Sequence, residues 1–456
     1  MRTMTIEQLR ERARGAVIEP GDDGYDEART VYNAMIDRRP RVVVQSVDAG
    51  DIMAAVDFAR ENGLDLAVRG GGHSVPGFGT VDDGVVADLS RMRGVRVDPA
   101  ARTARAEGGA TWGDFNHATG AFGLATSGGI ISTTGVGGLT LGGGIGYLTR
   151  GHGLSCDNLL SADVVTADGR MVRASAVDNP DLFWAIRGGG GNFGVVTSFE
   201  FRLHSVPSVY AGVRFFELAE AENVLRFYRE FIAEAPLELG AFPAFLIAPP
   251  LPFIPEKRHG DTFIAVVASW SGAPEKGEQA LRPIREVAPI VAEFADTMSN
   301  TAVNSLFDAL VPPGLQHYWK ANFVTELTDK AIQAHLEHGP KIPTVNSAMH
   351  IYPIDGASHD VAPDATAFAY REANFATVIA GMWPDPADNE ANIAWVRSYY
   401  DATAPESEEG GYINFMSGDD QERIRANYRG NYDRLVDVKR KYDSDNLFHL
   451  NQNITP

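Results

Sequence analysis

Hydrophobic and polar positions along the chain change period several times, and each change marks an element. Ile52, Ala55, Val56 and Ala59 are spaced as one face of a helix, which Asp48 is placed to cap and Gly63 to end before a short strand at residues 64–68. Upstream, residues 1–40 read as helical and charged; Asp37-Arg-Arg-Pro40 closes a helix before the strand Arg41-Val-Val-Val44. Further strands are expected at residues 85–89, at 95–97 with 103–107 as a hairpin about Asp98-Pro99, and at 195–201. Thr111 caps a helix carrying Trp112 and Phe115, and residues 162–173 alternate around Asp168-Gly169, a strong hairpin signal. Residues 179–187 read as a short helix running into Gly188 to Gly191.

Up to Pro207 the pattern is that of one α+β unit rich in short strands. From Tyr210 glycine falls, aromatics and alanine rise, and alternation such as residues 262–270 predicts a second domain of antiparallel strands separated by helices. The proline-rich residues 248–255 read as a loop. After an acidic turn at 406–409, Gly411-Tyr-Ile-Asn-Phe415 looks strand-like, and a helix follows through Tyr428 to Lys441. No internal repeat is evident. The expected division is 1–207, 208–405 and 406–456.

Length and charge narrow the class. A chain of 456 residues exceeds one ordinary core. A formal charge of -20 without basic runs argues against a nucleic-acid partner or an anionic membrane surface. The single cysteine, Cys156, excludes an intramolecular disulfide and a cysteine-rich metal site. Residues 1–15 mix Arg and Glu without an apolar core, so neither a secretion signal nor a membrane span is expected, and the chain reads as a cytoplasmic enzyme.

Candidate chemistry is concentrated between Arg69 and Gly146. Arg69-Gly-Gly-Gly-His-Ser74 and the run from Gly135 to Gly146 hold glycine at a density that suits a backbone cradle for a pyrophosphate, and His73 is placed to present an imidazole across it. Competing explanations fit less well. Residues 189–194 satisfy GxGxxG but follow a helix and enter a strand, the reverse of the dinucleotide motif's context. No Gly-Lys-Ser/Thr occurs, and Gly72-His-Ser74 is followed at position 76 by Pro where a hydrolase elbow needs Gly. His335 and His338 lie three apart on an expected helix without accompanying ligands and read as a solvated face.

Taken together, Arg69-Gly-Gly-Gly-His-Ser74, Gly138-Leu-Thr-Leu-Gly-Gly-Gly-Ile-Gly146, residues 179–193 and Asn451-Gln-Asn453 resemble the berberine-bridge-enzyme-like branch of the vanillyl-alcohol-oxidase, or PCMH-type, flavoprotein superfamily. The likeness spans residues 40–207 and 410–456. It implies a PCMH-type FAD-binding domain of two α+β subdomains and a substrate domain whose antiparallel sheet, flanked by helices, roofs the flavin. The closing segment would return to the FAD domain. By this likeness Arg69, Gly70, Gly71, Gly72 and Ser74 hold the pyrophosphate, and His73 carries FAD through a covalent bond to its 8-alpha methyl carbon. Gly138, Gly142, Gly143, Gly144 and Gly146 approach the cofactor, Asn192, Val195 and Val196 lie beside its adenine end, and Tyr412, Asn414, Asn451 and Asn453 sit near the active face. Thr134 matches the oxygen-gate position. Ile131 stands where bicovalent relatives have cysteine, so one covalent bond is expected, and Phe415 stands where some plant relatives have a tyrosine base.

The implied activity is an oxidase. Hydride leaves a carbon bearing oxygen or nitrogen on a sugar, alcohol or secondary metabolite for FAD, and molecular oxygen is reduced to hydrogen peroxide. An oxygenase acting on a polyketide-like substrate, a flavin- or ligand-binding protein without turnover and a serine hydrolase using Ser74 are the alternatives. For the proton acceptor, residues 346–355 alternate His350, Tyr352 and Ile354 on one side of a strand. Tyr352 and Tyr412 are the candidates if neighbours lower the hydroxyl pKa from about 10. Tyr352, Tyr370, Trp383 and Phe245 are expected to supply an aromatic roof that would suit a sugar, an aromatic alcohol, an alkaloid amine or a polyketide.

Overall fold

The computed structural model describes residues 3–456. Its first sheet places Val42–Gln45, Val85–Asp88 and Leu66–Arg69 parallel in that order, with Ala16–Ile18 antiparallel at the outer edge. The helix Ala49–Asn62 covers it as its apolar spacing requires: Ile52, Ala55, Val56 and Ala59 are fully buried. The Asp48 side chain accepts from the Asp51 amide at one end, and Gly63 closes the other in the left-handed conformation.

The second sheet is antiparallel, in the order Val95–Asp98, Thr103–Glu107, Val195–Arg202, Leu159–Val165, Met171–Ser175. Its middle strand turns Phe199 and Phe201 into a core shared with Trp112 and Phe115 of the helix Trp112–Gly120. Thr111 and Asp114 form a capping box at the start of that helix.

Seven antiparallel strands make the third sheet: Ile290–Met298, Val209–Phe216, Thr262–Trp270, Leu239–Ile247, Ala348–Pro353, Phe375–Trp383 and Gln316–Val324, in spatial order. Because side chains alternate across a strand, the sheet has two distinct apolar faces. Ile264, Val266, Ile351 and Ile379 pack with Leu281, Ile332 and Val396 of the covering helices. Val213, Phe215, Val267 and Val378 point the other way, into a core with Ile145, Tyr147 and Leu154 from the glycine-rich half. The C-terminal helix Tyr432–Tyr442 returns to pack on Pro180–Ala185, sharing one core through Leu435, Val438, Leu182 and Phe183. Two buried ion pairs pin the third sheet's loops to the first half of the chain: Arg371 to Asp157 at 2.7 Å and Arg150 to Asp355 at 2.8 Å.

Three expectations fail. Residues 3–40 hold only the short helices Ile6–Arg12 and Tyr25–Arg29 around the strand Ala16–Ile18, and no helix runs through residues 30–40 to end at Pro40. That stretch is fixed instead by side chains, with Tyr25 donating to the Pro40 carbonyl at 2.6 Å and Asn33 donating to the Val75 carbonyl at 2.7 Å. Gly411 to Phe415 is not a strand. Ile413–Phe415 is a 3-10 turn, and the Gly411 amide is taken by the Asn427 side chain at 2.9 Å. Nor is His335 on a solvated face: it is 2 % exposed, and its Nδ1 lies 2.8 Å from the Tyr399 hydroxyl on the neighbouring helix.

Candidate active site

Between the glycine-rich loops and the inner face of the seven-stranded sheet lies a cavity of about 420 Å³. The loop Arg69 to Ser74 leaves the end of a buried parallel strand and forms part of its floor. Arg69 is locked by Asp88 at 2.8 Å, which fixes the start of the loop, and Gly72 turns it with φ +72. A Cβ on Gly71 would stand 2.4 Å from the Gly135 amide nitrogen, so the two glycine runs touch backbone to backbone.

His73 is partly buried with its ring on the cavity. It stacks on Tyr32 with centroids 3.8 Å apart, and its Nε2 lies 3.0 Å from Thr133 Oγ1. Thr134 Oγ1 is 3.5 Å from Nδ1. Burial pulls the imidazole down to about 4, so it is neutral at ordinary pH and keeps a nitrogen lone pair. Ser74 Oγ accepts from the Phe78 amide at 3.2 Å, a contact that serves the turn.

The second run divides by role. Gly138 lines the cavity, and a Cβ there would meet no protein atom within 4 Å. Gly142, Gly143, Gly144 and Gly146 do not line it. A Cβ would fall 2.1 Å from Asn414 Oδ1 at Gly142, 3.0 Å from the Phe368 ring at Gly143, 2.1 Å from Ser155 Oγ at Gly144 and 1.7 Å from the Gly128 carbonyl at Gly146. Close packing against the protein itself demands glycine at 142, 144 and 146, and the backbone φ of +124 favours it at 143. Conversely Gly190, Gly191 and Gly194, from the run that fails the dinucleotide context, do line the cavity, as does Val196.

Asn192 and Val195 do not line the cavity either. Val195 belongs to the core of the first sheet, and Asn192 is wholly buried, donating to the Gly189 and Gln452 carbonyls and accepting from the Ile454 amide. It clamps the closing segment. Asn451 and Gln452 line the cavity, whereas Asn453 does not. Ile131 and Thr134 line it, and Cys156 is buried elsewhere.

On the roof the structure joins His350 and Tyr352, with Nδ1 2.6 Å from the hydroxyl and both residues on the cavity. Burial lowers His350 to about 4 and pushes Tyr352 well above the ordinary tyrosine value, so the pair stands as neutral imidazole and neutral phenol. The condition that neighbours lower a tyrosine pKa is therefore not met. Tyr412 fails it too: burial raises it although its oxygen accepts from the Gly144 amide at 2.8 Å and from Asn414 at 2.7 Å. Those bonds, with Asn414 also donating to the Leu139 carbonyl, make Tyr412 and Asn414 posts that hold the second glycine run. Of the four aromatics expected in the roof only Tyr352 is there. Phe245 and Trp383 point to the helices, and Tyr370 stacks on Phe323 outside the cavity lining. Sequence reasoning missed Tyr32, Phe242 and Trp319; Phe242 and Trp319 follow from strand alternation once the register is known, and Tyr32 carries no local signal.

Two polar atoms of residues on the cavity, Asn451 Oδ1 and Gln452 Nε2, are buried without partners. With Gly138's vacant Cβ direction and the paired glycine loops, they fit an elongated group carrying phosphates at one end and a polar ring system at the other.

Comparison with known proteins agrees. The FAD binding domain family matches residues 40–175, and the Berberine and berberine like family matches residues 411–455. An FAD-linked oxidoreductase from Dictyostelium discoideum is 31% identical over 100% of this chain and 97% of its own. The (R)-6-hydroxynicotine oxidase of Paenarthrobacter nicotinovorans is 30% identical over 97% of each chain. The crystal structure of the Arthrobacter nicotinovorans 6-hydroxy-D-nicotine oxidase superposes with TM-score 0.87 at 29% identity, covering 97% of this chain and 98% of that one. Fold and site thus define an FAD-linked oxidoreductase. More particularly, the chain belongs to the berberine-bridge-enzyme-like family. No helix among the described residues is long and apolar enough to cross a membrane.

Proposed function

We propose that this protein is an oxidase that holds FAD through one covalent bond to His73 and oxidises a carbon bearing oxygen or nitrogen on a small molecule. The observation that carries the reading is that a single cavity presents neutral His73 at its floor and the neutral His350–Tyr352 pair on its roof. FAD, when bound, supplies the acceptor for a hydride from substrate carbon and passes the two electrons to molecular oxygen, giving hydrogen peroxide.

The chain's own groups do the rest. Residues 69–74 seat the pyrophosphate with backbone amides, and Tyr32 holds the His73 ring by stacking. Asn451, Gln452, Gly190 and Gly191 receive the rest of the cofactor. As the carbon loses hydride, the substrate's O–H or N–H proton passes to Tyr352 Oη while the Tyr352 proton moves to His350 Nδ1. Neither group then needs to be ionised beforehand. Tyr352 and His350 are the acid–base residues, and Tyr412 and Asn414 are positioning residues. Thr134, next to His73, is the oxygen gate. The domain division 1–207, 208–405 and 406–456 is supported by the seven-stranded sheet lying wholly within 208–405 and the other sheets before it, and the lone buried cysteine supports a cytoplasmic location.

The test is the absorption spectrum and intact mass of purified protein before and after acid precipitation, for wild type and His73→Ala. Yellow colour and one FAD mass should stay with the wild-type pellet and leave that of the variant. Flavin released from the wild type by acid would refute the bond; protein without flavin in any form would refute the reading.

A further inference from the structure

We infer that the substrate of this site is a neutral, predominantly apolar alcohol recognised at one hydroxyl, rather than a sugar or an amine. The inference rests on the oxidase reading above and narrows it. The roof is drawn from one face of the seven-stranded sheet, and strand alternation makes that face almost wholly apolar: Val213, Phe215, Phe242, Val267, Val378 and Met382 all look into the cavity.

Its polar side chains are largely spent on the protein. Ser347 Oγ donates to the Met382 carbonyl at 3.0 Å and accepts from the Met382 amide at 2.9 Å. Asn346 Nδ2 is given to the Leu310 carbonyl at 2.7 Å, and Asn414 Nδ2 to the Leu139 carbonyl at 2.9 Å. His350 and Tyr352 are bonded to each other, which leaves only the Tyr352 oxygen free to accept from a ligand and the His350 Nε2–H free to donate to it. The indole Nε1 of Trp319 is buried without a partner.

A sugar would bring a girdle of hydroxyls against this wall, and each one buried unpaired weakens binding roughly ten- to hundredfold. An alkyl or aryl group meets the wall without loss. Charge excludes the amine. Among the described residues no Asp, Glu or Lys lines the cavity, and its one arginine, Arg69, is neutralised by Asp88. An ammonium ion would enter with no counter-charge, and shedding its proton first at pH 7 lowers the concentration of the binding form by orders of magnitude.

The test uses the flavin-loaded full-length protein under anaerobic conditions. Calorimetric Kd values and flavin bleaching rates are measured for benzyl alcohol, its 4-methyl, 4-ethyl and 4-propyl homologues, cellobiose and 4-ethylbenzylamine. The expected result is affinity rising about fourfold per added methylene across the alcohols, with cellobiose and the amine bound at least a hundredfold more weakly than the 4-propyl alcohol. Cellobiose or the amine binding as tightly as that alcohol, an affinity indifferent to alkyl length, or no alcohol binding at all overturns the inference. Bleaching by cellobiose or the amine in that case leaves the oxidase reading standing. Alcohols that bind in the expected order but bleach no flavin support the apolar site and count against the oxidase reading.

Discussion

Gly138 separates folding from cofactor binding in one substitution. It sits inside the helix Val136–Leu141, lines the cavity, and its absent Cβ would meet nothing of the protein within 4 Å. Gly138→Leu should therefore leave the fold intact. Leucine's better helix propensity adds about 0.8 kcal/mol, which in a chain this long moves the melting temperature by no more than about 2 °C. The new side chain instead enters the space assigned to FAD. Overpacking of 1–3 kcal/mol weakens FAD binding about five- to 150-fold. The assay is FAD titration of the Gly138→Leu, His73→Ala double variant against His73→Ala alone, so that binding is reversible, beside a melting curve of each apoprotein. Gly146→Ala is the contrast. Its Cβ would lie 1.7 Å from the Gly128 carbonyl, so it should lose soluble yield and stability before any question of cofactor arises. An unchanged FAD affinity in Gly138→Leu would show that this part of the floor is not the cofactor's seat. A Gly138→Leu protein as unstable as Gly146→Ala would refute the local packing argument.

Further outcomes follow from the ionisable groups. Tyr352→Phe should slow anaerobic flavin reduction by about 10²–10⁴-fold. With His350 held near 4, the wild-type rate should be flat from about pH 6 to 9 and fall as pH drops toward 4, because protonated His350 cannot accept; a rate still rising past pH 9 would mean that ionised Tyr352 is the base. His335, buried and lowered to about 4, binds its proton more readily in the unfolded chain. It therefore favours folding above pH 6.5, and that advantage is lost between 6.5 and 4 at up to about 1.4 kcal/mol per pH unit. His335→Gln should reduce the slope of stability against pH by one proton in that window, measured by urea unfolding. Asp157→Asn leaves buried Arg371 without its counter-charge and should destabilise by about 3–5 kcal/mol in the same assay; a loss under 1 kcal/mol would argue that the pair does not pin the two halves together.

What was legible in the sequence was local. The Asp48 and Thr111 caps, the Gly63 stop and the Asp168-Gly169 hairpin each depend on residues a few positions apart, and each formed as expected. Glycine density between Arg69 and Gly146 pointed to the right region for a cofactor, since a backbone cradle must be built from consecutive residues. Which glycines serve that cradle was decided elsewhere. Gly142, Gly144 and Gly146 answer to Asn414, Ser155 and Gly128, and Asn414 lies 272 positions along the chain from Gly142. The roof followed the same rule. Alternation put His350 and Tyr352 on one side of a strand, but which side faces the cavity depends on register across seven strands, so Phe242 entered it while Phe245 and Trp383 turned to the helices. Tyr32, in a stretch without periodicity, reached His73 through tertiary contacts: its amide donates to the Gly72 carbonyl at 3.2 Å, and the Val75 and His317 carbonyls hold neighbouring Asn33. The sequence by itself determined most of the periodic elements, their caps and the residue types available for chemistry, but not the aperiodic stretches before Pro40 and at 411–415. Only the tertiary structure decided which of them share a cavity, because close approach between distant segments is set by packing and register rather than by neighbours in the chain.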